Sequence, residues 1–118
     1  VEKVFRPGIA FFVARVDGAA VGCGGVSFEE EGLAELKRMY VRPAFRGRGV
    51  ARALVGRLED EARARGVSRV TLETGDAQVD AMRLYERAGY ARCGAFGAYA
   101  RMEPGAVVRS VFFEKWVG

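Results

Sequence analysis

The segment from Gly49 to Arg65 constrains the fold more than any other part of this sequence. Its apolar residues recur every four positions and form one stripe, with charged residues on the opposite side. The stripe contains Val50, Leu54, Leu58 and Ala62. This spacing predicts an amphipathic helix that ends at Gly66, because glycine readily adopts the left-handed conformation of a helix C-terminus. β-Type runs at 33–41 and 69–73 flank the helix, which predicts a parallel strand pair joined by a right-handed crossover.

The remaining segments predict further strands and a second helix. Two β-rich runs between Ile9 and Phe28 flank the Asp17-Gly18 dipeptide, which favours a tight hairpin turn. The strand at 33–41 should end before Pro43, because proline cannot extend a strand ladder. A helix is predicted over Ala77 to Arg87, with Asp76 as its N-cap and Gly89 at its end. The last strands are predicted over 90–96 and 107–115.

Length and composition favour one packed domain. The chain has 118 residues, half of them apolar and 29% charged, so we predict a single domain over 1–118. The sequence contains no apolar run near the ~20 residues of a membrane span, and charges within 1–9 argue against a secretory leader. We therefore expect a cytoplasmic protein without membrane contact.

The cysteines and the charged residues limit the chemistry. The sequence holds Cys23 and Cys93 but no histidine, so zinc sites and Cys-His nucleophilic pairs lack their parts, and we expect two buried thiols and no metal. The formal net charge is +4. Basic residues concentrate in one stretch, at Arg42, Arg46, Arg48 and Arg52, whereas an acidic cluster lies at 29–31. An arginine cluster around a single turn does not resemble an extended nucleic-acid-binding surface.

A glycine-containing turn, 46–51, precedes the long helix. Gly47 and Gly49 allow the backbone to direct its amides toward one point, and those amides are the unpaired donors of a helix N-terminus. The helix dipole and two arginines favour an anion there, so the turn predicts a diphosphate site. The spacing differs from the P-loop and from the dinucleotide-binding glycine motif.

Three segments together resemble one family. Arg46-x-x-Gly49-x-Ala51 resembles the acetyl-CoA loop of the GNAT superfamily of N-acetyltransferases, residues 34–43 resemble the strand before that loop, and residues 81–90 resemble its second helix and following strand. The resemblance implies an α+β (three-layer α/β) fold with a mixed, largely antiparallel twisted sheet, a splayed central parallel strand pair and helices on its faces. It also implies acetyl transfer from acetyl-CoA to a primary amine by direct attack in a ternary complex.

The resemblance implies where acetyl-CoA binds. Strands that splay near Val41 and Glu73 would expose backbone groups to the pantetheine arm, and a main-chain N–H of 39–41 would stabilise the oxyanion. Gln78 replaces an asparagine that contacts acetyl-CoA in many members. The residues expected to contact acetyl-CoA are Met39, Tyr40, Val41, Arg46, Gly47, Arg48, Gly49, Val50, Ala51 and Gln78.

Three residues are candidates for proton transfer. Glu35 is the first candidate for the general base and Glu73 the second, and strand alternation places Glu35, Lys37 and Met39 on one face. Tyr85 matches the family tyrosine that protonates the leaving thiolate. Each candidate has a structural alternative: a carboxylate paired with a neighbouring arginine for Glu35 and Glu73, and a packed ring with a hydrogen-bonded hydroxyl for Tyr85.

The acceptor side differs from the family pattern. Members have a strand and one or two helices before the hairpin, whereas only residues 1–8 precede it here. We expect the missing wall to come from further residues or from a second subunit in a homodimer, and the acceptor to be a small molecule rather than a protein. Residues 97–109 are expected to line the acceptor side, with a merely exposed connection as the alternative. The alternative function is a non-catalytic acyl-CoA-binding module.

Overall fold

The computed structural model describes residues 2–6 and 8–118. Seven strands form one sheet with the order β1-β2-β3-β4-β5-β7-β6. The strands are β1 (Glu2–Arg6), β2 (Ile9–Val16), β3 (Ala19–Ser27), β4 (Leu33–Val41), β5 (Arg69–Gly75), β6 (Ala91–Cys93) and β7 (Ser110–Trp116). The helices are α1 (Val50–Ala64) and α2 (Val79–Arg87), with short 3-10 turns at Pro43–Phe45, Gly97–Arg101 and Pro104–Val107. Among the helices of this described part, none is long and apolar enough to cross a membrane.

The predicted sheet architecture is confirmed. β2 and β3 form the hairpin around Asp17-Gly18, and β4 spans Leu33–Val41 as expected. Every other neighbouring pair is antiparallel, while β4 and β5 run parallel on either side of the α1 connection. β4 and β5 pair only between Leu33–Leu36 and Arg69–Leu72, and beyond those residues both strands continue without pairing to each other. The central parallel pair is therefore splayed.

Strand β1 is an element that the sequence reading did not predict. Residues 2–6 pair antiparallel with β2, from Glu2 opposite Val13 to Arg6 opposite Ile9. The N-terminal strand expected to be missing is thus present. The segment has only five residues, and three of them are charged. It is therefore too short and too polar to indicate a strand from the sequence. Val1 and Pro7 of this stretch lie outside the described residues.

Both helices end in the same hydrogen-bonding motif. At the end of α1, Gly66 has φ 71°, and the N–H groups of Gly66 and Val67 donate to the carbonyls of Arg63 and Ala62. At the end of α2, Gly89 has φ 96°, and the N–H of Tyr90 donates to the Tyr85 carbonyl. This is the Schellman arrangement, in which a left-handed glycine satisfies the last carbonyls of a helix. Both predicted glycine stops are confirmed.

Three predicted boundaries are wrong. The N-cap of α2 is Gln78 rather than Asp76, and Asp76 instead donates its N–H to the Arg109 carbonyl at 2.8 Å. Within the described chain, no side chain caps α2. Strand β6 ends at Cys93 instead of residue 96, and β7 begins at Ser110 instead of residue 107. The reason is that two 3-10 turns lie between these strands, within residues 97–107.

The two faces of the sheet carry different chemistry. On the helix face, alternate residues of the central strands are buried against both helices. The strands contribute Leu36, Leu72 and Phe113, and the helices contribute Leu54 of α1 and Met82 of α2. The other face, called here the polar face, carries Glu35, Thr71, Glu73 and Phe112 at paired positions of β4, β5 and β7. The 3-10 turn at 97–101 covers part of this polar face, since Tyr99 packs on Phe112.

A buried charged group connects α1 to β7 on the helix face of the sheet. Glu59 of α1 is 5% exposed, accepts a hydrogen bond from the Tyr90 hydroxyl at 2.8 Å and lies 3.1 Å from Nζ of Lys115 on β7. Burial, with the hydrogen bond and negative charge of Glu59, raises the pKa of Tyr90, so its hydroxyl stays a donor. The Tyr90 ring in turn meets the Tyr85 ring edge-on, with centroids 6.0 Å apart.

Candidate active site

The N-terminus of α1 forms one wall of a cavity, called here the donor cavity. Gly47 and Gly49 have φ of 76° and 80°, and Gly49 is the N-cap of the helix. The first hydrogen bond of the helix runs from the Ala53 N–H to the Gly49 carbonyl. The amides of residues 50–52 come before this bond and therefore have no acceptor within the helix. A Cβ at either glycine would meet no described atom within 4 Å, so the positive φ, and not crowding, requires glycine here. The turn thus presents free donors to open space.

Most residues expected to bind acetyl-CoA line the donor cavity. Its lining includes Met39, Tyr40, Val41, Arg46, Gly47, Gly49, Val50, Ala51 and Gln78. Arg46 holds the turn against the strand, because its Nε donates to the Val41 carbonyl at 2.9 Å. Arg48 is not part of the lining and lies over the Phe45 ring, 5.4 Å from its centroid. Arg48 therefore adds positive charge near the cavity rather than a wall of it.

A β-bulge in β4 changes the face of Met39. Arg38 adopts φ 55°, and the pairing of β4 with β3 shifts register opposite Gly24. A side chain at Gly24 would meet the Met39 sulfur and the Leu58 side chain, which places Met39 on the helix face. The prediction that Glu35, Lys37 and Met39 share one face is therefore wrong for Met39. One extra residue inverts the alternation after Lys37.

Two further cavities lie beside the bulge and the splay. A second cavity, the junction, lies between the diverging ends of β4 and β5 and is lined by residues 35–39 and 72–74 together with Gln78, Tyr85 and Tyr99. A third cavity, the acceptor chamber, lies on the polar face and is lined by Glu29, Glu30, Leu33, Phe96 and others. Glu35 and Tyr99 line both the chamber and the junction, while Met39 and Tyr85 line both the junction and the donor cavity.

Glu35 lies where the acceptor chamber meets the junction. Its Oε2 accepts a hydrogen bond from the Tyr99 hydroxyl at 2.8 Å, and its Oε1 is 3.8 Å from Nζ of Lys37. Burial raises the pKa of Glu35, and the Tyr99 hydrogen bond and Lys37 partly oppose that rise. The arginine partner that the structural alternative required is not found among the described residues. A carboxyl group with a raised pKa in a cavity has the properties of a proton acceptor.

Glu73 lies beside the same junction as Glu35 but has a different partner. It lines the junction but not the acceptor chamber, and its Oε2 accepts a hydrogen bond from the Ser110 hydroxyl at 2.7 Å. Among the described residues, its hydrogen-bond partner is thus a hydroxyl on β7 rather than an arginine. The position is consistent with its place as the second candidate.

Tyr85 has a buried ring and an unpaired hydroxyl. The residue is 7% exposed, and within residues 8–118 its hydroxyl has no hydrogen-bond partner. The ring packs against Tyr90, and the side chain lines both the junction and the donor cavity. Burial raises the pKa of Tyr85 to about 12, so the hydroxyl stays protonated at neutral pH. The alternative of a hydroxyl bound within the core is not what the structure shows.

Two expectations from the sequence differ from the structure. Tyr99 was expected only to line the acceptor side, yet it donates to Glu35 across 64 positions of sequence, a contact that no local motif signals. Cys23 and Cys93 were expected to be buried thiols, but both are only half-buried. Cys93 lies on β6 outside the three cavities, and burial together with Glu114 raises the pKa of its thiol. A less acidic thiol is a poorer nucleophile at neutral pH, which argues against an acyl-cysteine intermediate.

Known proteins resemble this chain in sequence and in fold. The acetyltransferase (GNAT) family pattern matches residues 2–90. An IAA acetyltransferase of Azospirillum brasilense is 44% identical over 115 residues, which cover 97% of this chain and 72% of that protein. A Klebsiella pneumoniae protein assigned as an acyl-CoA N-acyltransferase superposes with a TM-score of 0.84 at 38% identity, covering 97% of this chain and 77% of that one.

A more distant structure shares the fold alone. The PaiA N-acetyltransferase of Thermoplasma acidophilum, solved in complex with coenzyme A, superposes with a TM-score of 0.77 at 18% identity, covering 92% of this chain and 61% of that one. The family pattern spans most of the sequence, and it includes the glycine turn, the splayed strands and Tyr85. The chain therefore belongs to the GNAT family of acetyltransferases.

Proposed function

We propose that this protein transfers an acetyl group from acetyl-CoA to a small primary amine by direct attack in a ternary complex. The observation that carries the proposal is the series of three cavities, whose shared lining residues lead from the glycine turn on one side of the sheet to Glu35 on the other. A donor and an acceptor that enter from opposite faces can meet at the splay. The structural relative solved with coenzyme A has the same fold and supports this donor.

The donor cavity fits the parts of acetyl-CoA. The free amides of 50–52 and the positive end of the α1 dipole suit the diphosphate, and Arg46 adds a fixed positive charge. The edge of β4 beyond Leu36 does not pair with β5 in the described chain, so its backbone groups are available to the amides of the pantetheine arm. Acetyl-CoA, when bound, supplies the acyl group as a thioester.

Residues at the junction have complementary roles in proton transfer. Glu35 accepts a proton from the attacking amine, because its raised pKa makes it a better base than an exposed carboxylate. A main-chain N–H of residues 39–41 stabilises negative charge on the thioester oxygen. Tyr85 lies on the donor side with its proton in place and donates it to the departing sulfur.

The acceptor chamber indicates a small cationic amine. Its volume is about 180 Å³, and its walls carry the carboxylates of Glu29, Glu30 and Glu35 with one lysine, Lys37. Amines are mostly protonated near pH 7, so an acidic chamber attracts them before Glu35 removes the proton. The chamber also has an apolar side formed by Leu33, Phe96 and Met102. We therefore expect primary amines with a short apolar body to be acceptors.

A thiol-release assay tests the proposal. Acetyl-CoA is incubated with the protein and a panel of small primary amines, and free coenzyme A is measured with a thiol reagent. We expect release that depends on both the protein and one class of amine. If acetyl-CoA raises the melting temperature but no amine on the panel causes release, the non-catalytic acyl-CoA-binding module becomes the better description. If acetyl-CoA at millimolar concentration gives no shift, the proposed donor is wrong.

Gly49→Ala should weaken donor binding, with Gly56→Ala as its control. Alanine disfavours the positive φ of Gly49, so the turn should shift and its amides should no longer meet at one point. Loss of one charge-assisted hydrogen bond, about 1.5–3 kcal/mol, should weaken acetyl-CoA binding tenfold or more. Gly56 lies in the same helix with an ordinary φ and room for a methyl group, so its replacement should stabilise the helix by up to about 1 kcal/mol. The measurement is the acetyl-CoA-induced shift in melting temperature. Equal shifts in both variants would contradict the assigned cradle.

Tyr85→Phe should lower turnover without weakening donor binding. The substitution removes an unpaired hydroxyl and leaves the buried ring in place, so the fold should be retained. We expect kcat to fall about 100-fold, the lower end for general acid catalysis, because a thiolate already leaves readily. Steady-state kinetics and the acetyl-CoA-induced thermal shift separate the two effects. Unchanged turnover would mean that Tyr85 has a purely structural role and is not the general acid.

A further inference from the structure

We infer that Tyr99 is a positioning residue that holds Glu35 in the orientation and the ionised state that proton abstraction requires. The inference rests on the proposed function, because it concerns the base of that reaction. It starts from one contact: the Tyr99 hydroxyl donates to Oε2 of Glu35 at 2.8 Å. Since Oε2 is occupied by this bond, Oε1 is the oxygen left to take the proton of the amine.

The Tyr99 ring is fixed by two neighbouring rings. Its centroid lies 5.3 Å from that of Phe96 and 5.3 Å from that of Phe112, and those two rings are themselves 5.4 Å apart in an edge-on arrangement. Phe96 and Phe112 are 5% and 8% exposed. A side chain held by a buried aromatic cluster has little rotamer freedom, so its hydroxyl is directed at Glu35 before any acceptor binds.

The backbone that carries Tyr99 is held at both ends. The Tyr99 N–H donates to the Phe96 carbonyl at 3.0 Å, and the Met102 N–H donates to the Tyr99 carbonyl at 3.2 Å. Nη2 of Arg101 lies 2.7 Å from Oε1 of Glu30, which ties this turn to the loop before β4. The position of Tyr99 therefore depends on contacts outside the reacting centre.

Several charged groups act on Glu35 at once. Lys37 from the same strand favours the carboxylate, whereas Glu73 from β5 and Glu29 from the loop before β4 disfavour it. Burial is the largest influence and also disfavours the carboxylate. Among the groups that lower the pKa of Glu35 against this effect of burial, Tyr99 has the largest influence. Burial and Glu35 in turn raise the pKa of Tyr99, so its hydroxyl remains a donor throughout the working pH range.

Tyr99→Phe tests the inference through the pH profile. The variant keeps the aromatic cluster but removes the hydrogen bond, so Glu35 loses stabilisation of its charged form and its pKa rises. We expect the acid limb of kcat/KM to move to higher pH. If Tyr99 had only a structural role, its substitution would lower the maximal kcat/KM and leave the pH of the acid limb unchanged.

Two controls separate this inference from the proposed function. Glu114→Gln removes an ion pair with Arg69 on the same face of the sheet but outside the three cavities, so the limb should not move. The Glu35 carboxyl is also followed by ¹³C NMR without substrate, where Tyr99→Phe should titrate at higher pH than the original protein. An unshifted carboxyl titration overturns the inference even if the enzyme is active. If the NMR shift occurs but no amine is acetylated, the proposed function fails and the Tyr99–Glu35 coupling stands.

Discussion

Glu35→Gln is expected to lower kcat/KM by about 10²- to 10⁴-fold, the range found when a general base is removed. The amide keeps the size of the side chain and still accepts the Tyr99 hydrogen bond, but it cannot take a proton from the amine. In the original protein, activity should fall as the pH drops through the raised pKa of Glu35, because the protonated carboxyl is no longer a base. Initial rates between about pH 5 and 9 measure both effects.

The same substitution should not destabilise the protein at neutral pH. The folded pKa of Glu35 lies above the ordinary value of 4.5, so the folded state binds the proton more tightly than the unfolded state does. Ionised Glu35 therefore opposes folding above its folded pKa, and that cost disappears as the pH falls below 4.5. We expect the melting temperature of Glu35→Gln to equal or exceed that of the original protein at pH 7–8, with the gain shrinking toward pH 4.5.

Glu114→Gln is the matched control for this experiment. Glu114 lies on the same face of the sheet, pairs with Arg69 at 2.8 Å and lines none of the three cavities. Its replacement should leave the pH profile unchanged. An equal loss of activity in both variants would mean that Glu35 supports the sheet rather than the reaction, and an unaffected Glu35→Gln enzyme would exclude it as the base.

Glu59→Ala is expected to give the largest loss of stability. The substitution removes a buried carboxylate and leaves Nζ of Lys115 and the Tyr90 hydroxyl without their partner. Breaking a buried pair in this way costs about 3–5 kcal/mol, and Lys115, which retains some contact with solvent, favours the lower value. A loss of about 3 kcal/mol corresponds to a fall in melting temperature of roughly 10 °C for a domain of this size.

A double substitution shows whether the unpaired partner causes that loss. Glu59→Leu combined with Lys115→Met replaces both charges by apolar groups of similar size, so it should recover much of the stability. Thermal unfolding of the three proteins gives the comparison. If the double variant is as unstable as Glu59→Ala, the loss comes from packing or from the Tyr90 bond and not from an uncompensated charge.

The predictable parts of the fold have local signals. The four-residue period of 50–62 predicts α1, and glycines at 66 and 89 predict where the helices end, because these signals act over a few neighbouring residues. The glycine turn likewise predicts the anion site, since its donors belong to one short segment. The resemblance of residues 34–43 and 81–90 supplied the order of the parts around the site.

The unpredicted parts depend on contacts distant in sequence. The bulge requires Arg38 to adopt a conformation that arginine disfavours, and only the pairing of β4 with β3 reveals it. The meeting of Tyr99 with Glu35 requires the whole sheet to be assembled. Asp76 looks like a helix cap because a helical pattern follows it closely, but its N–H bonds to the Arg109 carbonyl, more than thirty residues later. These three features thus depend on tertiary contacts, which local sequence propensity does not reveal.

The bulge at Arg38 divides one strand into two lengths that natural selection can alter separately. Side chains before the bulge, such as Glu35 and Lys37, line the acceptor chamber, whereas Met39 to Val41 after it line the donor cavity. On the proposed function, we expect a substitution in the first length to change which amine fits the acceptor chamber without altering the donor cavity. Related sequences could then diverge in acceptor preference while they keep one acyl donor.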